Sequence, residues 1–269
     1  MQKYRQLDWT AEQVSKFWDY ESQFPENYFS NQVGSNIVDY IIDSFPDKKT
    51  ILDYGCGPGF LIQHLLKKNL FVAGLEFSKK SLELVNQKFS ESKQFTGIFE
   101  LNTIVEKNLK FEIITLVEVI EHLDDFFLKM VLNNIKKILN DDGVLFITTP
   151  NDEDLEKSMV FCPNCDHVFH RWQHLRSWSV DSLSEYLLGN GFILNNVFTT
   201  NFGIPLIKQQ SITTPNFKTN FLKRFGNFIF RKLFFNYKNK ITYPVYKVEP
   251  MLVSHKQPHL VAVVHLAKK

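Results

Sequence analysis

Residues 51–59 read Ile-Leu-Asp-Tyr-Gly-Cys-Gly-Pro-Gly, and this run constrains the chain more than any other. Ile51 and Leu52 lead into Asp53, and glycines then fall at alternate positions, Gly55, Gly57 and Gly59. A helical apolar pattern occupies 60–68. That order is a strand, a tight glycine turn and a helix. Without Cβ atoms the glycines adopt φ > 0 and let a ligand lie against the backbone. The start of the helix presents N–H groups that have no partner within it. The spacing is not Gly-x-Gly-x-x-Gly, and no Gly-Lys-Ser/Thr follows, which excludes a dinucleotide fingerprint and a P-loop. Further on, the apolar run 71–75, with Gly74 inside it, ends at Glu76. A carboxylate about 20 residues beyond the turn suits a ribose diol, accepting from both hydroxyls. Alone, it would equally cap the helix predicted over 79–89.

Turn and acid together resemble the cofactor site of the class I S-adenosylmethionine (SAM) methyltransferases. The resemblance implies an α/β, Rossmann-like, seven-stranded sheet with helices on both faces, and SAM as methyl donor. It carries cofactor contacts onto Asp53, Gly55, Cys56, Gly57, Gly59, Glu76, Phe77, Asn102 and Val117. Among these Glu76 is the ribose ligand, and Asn102 stands in the loop where adenine contacts usually lie.

The rest of the chain fits that frame. From residue 50 strands are predicted over 50–54, 71–75, 97–101, 111–117 and 143–148, with helices over 60–68, 79–89, 125–139 and 180–189. Such alternation means a mostly parallel sheet. Two further strands, 192–199 and 260–266, supply the terminal hairpin of a methyltransferase sheet, but some sixty residues separate them, far beyond a hairpin loop. Residues 1–49 read as an N-terminal helical lid, with Thr10 and Gln13 as a capping pair and Pro25 as a break. There Tyr20 and Tyr28 either touch SAM or simply pack. The domain reading is therefore a lid (1–49), a core (50–202) with a Cys/His substrate loop (151–178), an insertion (203–257) and a last core strand (258–269).

The strand over 111–117 runs into Glu118-Val-Ile-Glu121-His122. Ligands of a doubly wound sheet sit beyond the carboxyl ends of its strands, which brings this segment beside the glycine turn. If a helix starts here, Glu118, Glu121 and His122 share one face at i, i+3 and i+4. In a closed pocket the carboxylates repel strongly, and a divalent cation would remove the repulsion. Acids decorating a helix N-terminus account for the same residues without a metal. Glu-x-x-Glu-His is similar to the ubiquinone-biosynthesis O-methyltransferases and the small-RNA 3′-terminal 2′-O-methyltransferases. In both, these residues are linked to a divalent metal that binds substrate hydroxyls. The likeness carries a further ligand onto His174, which precedes Trp178 and Ser179. It implies metal ligands Glu118, Glu121, His122 and His174 for Mg or Zn, and Glu121, His122 and His174 as catalytic. His122, if not a ligand, would serve as general base.

Cys56, Cys162 and Cys165 are the three cysteines, too few for a disulfide framework. Cys162-x-x-Cys165, with His167 and His170 close behind, is open to three readings: a structural zinc knuckle, a turn of a substrate loop with reduced thiols, or zinc at the catalytic position. Arg171, Trp172 and Arg176 are candidates to hold an anionic or planar acceptor.

Net charge is +2, but nine Lys or Arg and no acid lie between residues 206 and 248. Within that stretch, 217–235 forms a cationic, phenylalanine-rich amphipathic pattern, which suits a membrane surface, an RNA grip or packing on the sheet edge. The N-terminus carries no apolar signal segment, and no stretch reaches the ~20 apolar residues of a spanning helix. The expectation is a cytoplasmic enzyme, peripheral at most to the inner face of a membrane. It would methylate a hydroxyl of a small metabolite, with a lipid- or sugar-linked acceptor as one option. RNA 2′-O-methylation is the alternative, less favoured because the basic residues are confined to one insertion. A non-catalytic SAM-binding scaffold is the alternative of another class.

Overall fold

The computed structural model describes residues 4–203 and 257–267. A short strand, β1 (Arg5–Gln6), and two helices, α1 (Ala11–Glu21) and α2 (Phe29–Ser44), come first. Then follow β2 (Thr50–Tyr54), α3 (Phe60–Leu66), β3 (Phe71–Leu75), α4 (Lys79–Phe89), β4 (Phe95–Phe99), α5 (Leu101–Glu106), β5 (Phe111–Val117), α6 (Asp125–Ile138) and β6 (Leu139–Pro150). The remaining elements are β7 (Met159–Cys162), β8 (His167–His170), α7 (Val180–Gly189), β9 (Phe192–Thr200) and β10 (His259–Leu266).

Seven strands form one sheet in the order β4-β3-β2-β5-β6-β10-β9. From β4 to β6 neighbours are parallel, and β10 is antiparallel to both β6 and β9. The expected α/β architecture with its terminal hairpin is thus present. The order reverses between β2 and β5, and that is where a doubly wound sheet opens its ligand crevice.

Strand alternation builds the two layers. Ile51, Ile113, Val144 and Phe146 point to one face, against Val33, Ile37 and Ile41 of α2, Leu61 and Leu65 of α3, and Val85 of α4. Leu52, Ile114, Leu145 and Ile147 point to the other, against Ile104 of α5, Leu128 and Leu132 of α6, and Leu183 of α7. Each such side chain contributes about 1.5–3 kcal/mol on burial, so period-two strands between amphipathic helices have one way to settle.

Several expected bounds move. β4 covers 95–99 rather than 97–101, because Glu100 adopts extended backbone as the cap of α5, a helix the sequence reading left out. β6 is twelve residues long rather than the predicted 143–148, since its ends pair with Phe111 and His259. The capping pair forms as expected: Gln13 N–H donates to Thr10 Oγ1 (3.2 Å) and Thr10 N–H donates to Gln13 Oε1 (2.9 Å). The N-terminal region is not all lid, however. From Val33 onward α2 is part of the buried layer, leaving α1 and 25–32 over the crevice.

Residues 159–170 form a hairpin that β1 joins as a parallel third strand. Cys162 and His167 face each other beside its turn, whereas His170 pairs with Met159 at the other end. Three residues of strand put His170 roughly 10 Å from His167 and on the opposite face. The four zinc-knuckle candidates therefore do not converge, and among the described residues no metal-like group of three contains either cysteine. No helix among the described residues is long and apolar enough to cross a membrane. The amphipathic pattern over 217–235 lies outside the described residues.

Candidate active site

Beyond the carboxyl ends of β2, β3 and β5 lies a cleft of about 400 Å³, roofed by Val14 and Trp18 of α1 and by Tyr28 and Phe29. The glycine turn forms one wall. Gly55 and Gly59 have φ of 77° and 79°, and a Cβ on them would approach Val119 Cγ2 to 2.9 Å and Phe89 Cε2 to 2.8 Å. Only glycine meets both demands. Gly55 and Cys56 N–H donate to the Leu75 carbonyl (2.8 and 3.2 Å), which fastens the turn to β3.

Glu76 is the hub of this wall. Its Oε2 accepts from Gly57 N–H (2.9 Å), and its Oε1 accepts from Phe77 and Ser78 N–H (2.7 and 3.0 Å). Burial raises its pKa, and those three donors oppose the rise. Of the predicted cofactor residues, Gly55, Cys56, Gly57, Glu76, Phe77 and Val117 line the cleft, and Phe77 stands 64% exposed at its mouth. Asp53, Gly59 and Asn102 do not line it. Asp53 is buried under the turn, where its Oδ1 accepts from Thr115 Oγ1 (2.9 Å). Burial, aided by the Glu76 charge and opposed by Thr115, pushes its carboxyl up to about 7. Asn102 is exposed on α5.

The opposite wall comes from the end of β5. Glu118 sits at φ 53°, so the expected regular helix does not start there, and Ile120–His122 form a single 3₁₀ turn instead. Tight winding still brings Glu121 and His122 toward His174, and the three offer ligand atoms within 4.8 Å of one another. Glu118 is not in that group. Its Oε1 accepts from Thr148 Oγ1 (2.9 Å) and lies 3.9 Å from His259 Nδ1. Burial lifts the Glu118 carboxyl to about 8; burial and the Glu118 charge together put Glu121 well above the carboxylate range.

Glu121 is 1% exposed; Oε2 accepts from Thr149 Oγ1 (3.1 Å), but Oε1 has no hydrogen-bond partner. An orphaned buried carboxylate oxygen is costly. His122 Nδ1 lies 3.4 Å from the Gln173 carbonyl, which can only accept, so the Nδ1–H tautomer leaves a lone pair on Nε2, 3.9 Å from Glu121 Oε1. Burial, with the His174 and His170 rings adding, holds the His122 pKa down at about 3, so the ring is neutral. A buried carboxyl oxygen lacking a partner beside a neutral imidazole lone pair fits a divalent cation, whose binding would release the carboxyl proton.

Three contributors carried no sequence signal. Gln173, at φ 60° and buried, ties α1 to this wall: Oε1 accepts from Trp18 Nε1 (3.2 Å) and Nε2 donates to the His122 carbonyl (3.3 Å). Glu153 lies against His174, and His259 lines the cleft from β10. Of the acceptor candidates, Trp172 lines the cleft with the Arg171 guanidinium over its ring, while Arg176 is engaged by Asp125 (2.9 Å).

A family model described as a methyltransferase domain matches residues 27–195. A ubiquinone biosynthesis O-methyltransferase of Haemophilus ducreyi is 26% identical over 155 residues, 55% of this chain and 64% of that protein. The chain thus spans a little under two thirds of that relative's length. An S-adenosylmethionine-dependent methyltransferase of Clostridium acetobutylicum shares the fold with a TM-score of 0.57 at 12% identity, over 95% of this chain and 99% of that one. So does the 1,6-didemethyltoxoflavin-N1-methyltransferase of Burkholderia thailandensis, solved with S-adenosylhomocysteine (SAH), with a TM-score of 0.57 at 10% identity over 98% and 94% of the two chains.

Proposed function

The chain belongs to the class I SAM-dependent methyltransferases, and from that premise we propose that it methylates a hydroxyl oxygen of a small acceptor with the aid of a divalent cation. The observation that carries this reading is the partnerless, buried Glu121 Oε1, grouped with His122 and His174, which line the cleft that also holds the glycine turn. The 26% identity to an O-methyltransferase supports oxygen as the acceptor atom.

On the cofactor side, SAM supplies a methyl group already bonded to a sulfonium leaving group, so the protein's task is positioning. Glu76 would accept from a ribose hydroxyl with the one lone pair on Oε2 that its three backbone donors leave free. Phe77 offers an exposed ring to the adenine. On the acceptor side, Glu121, His122 and His174 would hold the cation, with Glu118 at the rim. Bound there, a divalent cation lowers the pKa of a hydroxyl it touches and orients it. The low pKa of His122 keeps its Nε2 lone pair available at neutral pH. Trp18, Tyr28 and Trp172 would close over the acceptor and exclude water, holding the reactants in line.

Incubation with methyl-labelled SAM and a cell extract, with and without chelator, tests the reading. Chelator-sensitive label in the solvent-soluble or small-molecule pool supports it. Label in RNA would replace it with 2′-O-methylation of RNA. SAM binding with no label in any pool of an acceptor-rich extract would favour a non-catalytic SAM-binding protein.

A further inference from the structure

Glu153 follows β6, beyond Asp152, whose N–H donates to the Trp178 carbonyl (2.6 Å). Its carboxylate meets two histidines. Oε2 lies 2.5 Å from His174 Nδ1, and Oε1 lies 3.3 Å from His170 Nε2. The two rings stack at 4.5 Å with 18° between planes, and both are largely buried. Glu153, His170 and His174 offer ligand atoms within 4.8 Å, which on distances alone makes a second cation site.

The hydrogen bonds of His170 argue otherwise. Its Nδ1 accepts from two backbone groups, Trp172 N–H (3.3 Å) and His174 N–H (3.2 Å). A ring nitrogen that receives two N–H donors carries no proton, so the neutral ring has its proton on Nε2. That is the atom facing Glu153. His170 therefore has no lone pair left for a metal, and its Nε2 lies 3.3 Å from Glu153 Oε1 without making a hydrogen bond. Glu153 in turn can only accept from His174 Nδ1, which keeps the proton on that nitrogen and the lone pair on Nε2. A carboxylate behind a histidine in this way fixes tautomer and ring angle.

We propose that Glu153 is the positioning residue that holds His174 in the Nδ1–H tautomer and so leaves the Nε2 lone pair free on a ring that lines the cleft. This rests on the cation reading above only for its consequence, not for its geometry. Glu153 touches no reacting atom in this scheme. It acts through His174, and its loss should loosen the cation site while leaving the SAM wall intact.

The test uses the full chain, with E153A and the shape-preserving E153Q. Nitrogen-15 imidazole NMR of metal-free protein reads the His174 tautomer, Mn²⁺ titration reads cation affinity, and SAH calorimetry reports on the fold. Expected are a single Nδ1–H tautomer in the wild type and a mixed tautomer in E153A. Mn²⁺ affinity should weaken about 10–100-fold in E153A, less in E153Q, with SAH affinity unchanged in both. An unchanged His174 tautomer in E153A, with SAH still bound, would overturn the proposal. So would unchanged Mn²⁺ affinity in E153A when the wild type binds Mn²⁺. A wild type that binds no Mn²⁺ would defeat the cation reading instead, with the tautomer measurement still deciding the role of Glu153.

Discussion

The two walls of the cleft meet the same problem, a buried carboxylate, and solve it differently. On the SAM wall Glu76 is 6% exposed, and both of its oxygens accept backbone N–H bonds from its own turn and from Gly57. On the acceptor wall Glu121 is 1% exposed, and one of its oxygens has no partner. The first wall is complete as folded. The second leaves one carboxyl oxygen for the cation proposed above. A buried carboxyl with its oxygens satisfied holds the shape of its turn, whereas one with an unsatisfied oxygen calls for an explanation, and the proposed cation supplies it.

The sharpest way to break the comparison is to remove the unsatisfied carboxyl. Glu121→Ala should lower methyl transfer about 100-fold or more, since even groups behind a metal ligand cost about 10–100-fold. SAH affinity, measured by calorimetry, should stay unchanged. Loss of SAH binding in the same proportion would mean that the walls are not separable.

The reverse substitution is expected to act on the other wall. Glu76→Ala deletes the acceptor of three backbone bonds and the proposed ribose ligand. Hydrogen bonds to a charged group contribute roughly 1.5–3 kcal/mol, so SAM should bind about 10–150-fold more weakly. Mn²⁺ affinity should not change. A variant that lost Mn²⁺ but kept SAM would invert the assignment.

Asp53 sharpens the contrast from beneath the SAM wall. Its carboxyl is raised to about 7 by burial, against about 4 in an unfolded chain. Between those pH values the unfolded chain has lost a proton that the folded chain keeps, so this group's contribution to stability falls as pH rises and is level above about 7. Asp53→Asn should remove that slope and be more stable than wild type at pH 8 by on the order of 1–3 kcal/mol. Urea melts at pH 5 and pH 8 decide it. An equal slope in both proteins would show that Asp53 ionises freely.

The same contrast governs what could be read from sequence. The SAM wall is made by consecutive residues whose backbone geometry demands particular types. Gly55 and Gly59 need positive φ and no Cβ, so their pattern is visible without a structure. β2, β3 and β5 were placed to the residue, because buried parallel strands are short apolar runs with sharp ends. The acceptor wall is assembled from distant segments. Glu121 and His122 were found by spacing and resemblance, although the local backbone is a 3₁₀ turn rather than a helix. Glu153, Gln173 and His259 matter only through tertiary contacts, and nothing around them in the chain marks them. Asp53 reads as a ligand beside the glycines, but strand alternation turns it inward, under Thr115.

The smallest expected effect separates neighbours on one helix. On α1, Trp18 reaches the acceptor wall, donating to Gln173 Oε1 and packing edge-on against His122 at 4.9 Å between centroids. The next residue, Asp19, reaches the SAM wall, where its Oδ1 accepts from Ser78 Oγ (3.0 Å). Each bond contributes about 1 kcal/mol net, worth a few-fold in binding. Trp18→Phe keeps an aromatic ring but deletes the donor, and should raise the acceptor KM a few-fold with SAM affinity unchanged. Asp19→Ala should weaken SAM a few-fold and leave the acceptor KM alone. If both variants shifted both constants together, α1 would be closing as one rigid cover, and the two walls would be coupled through it rather than independent.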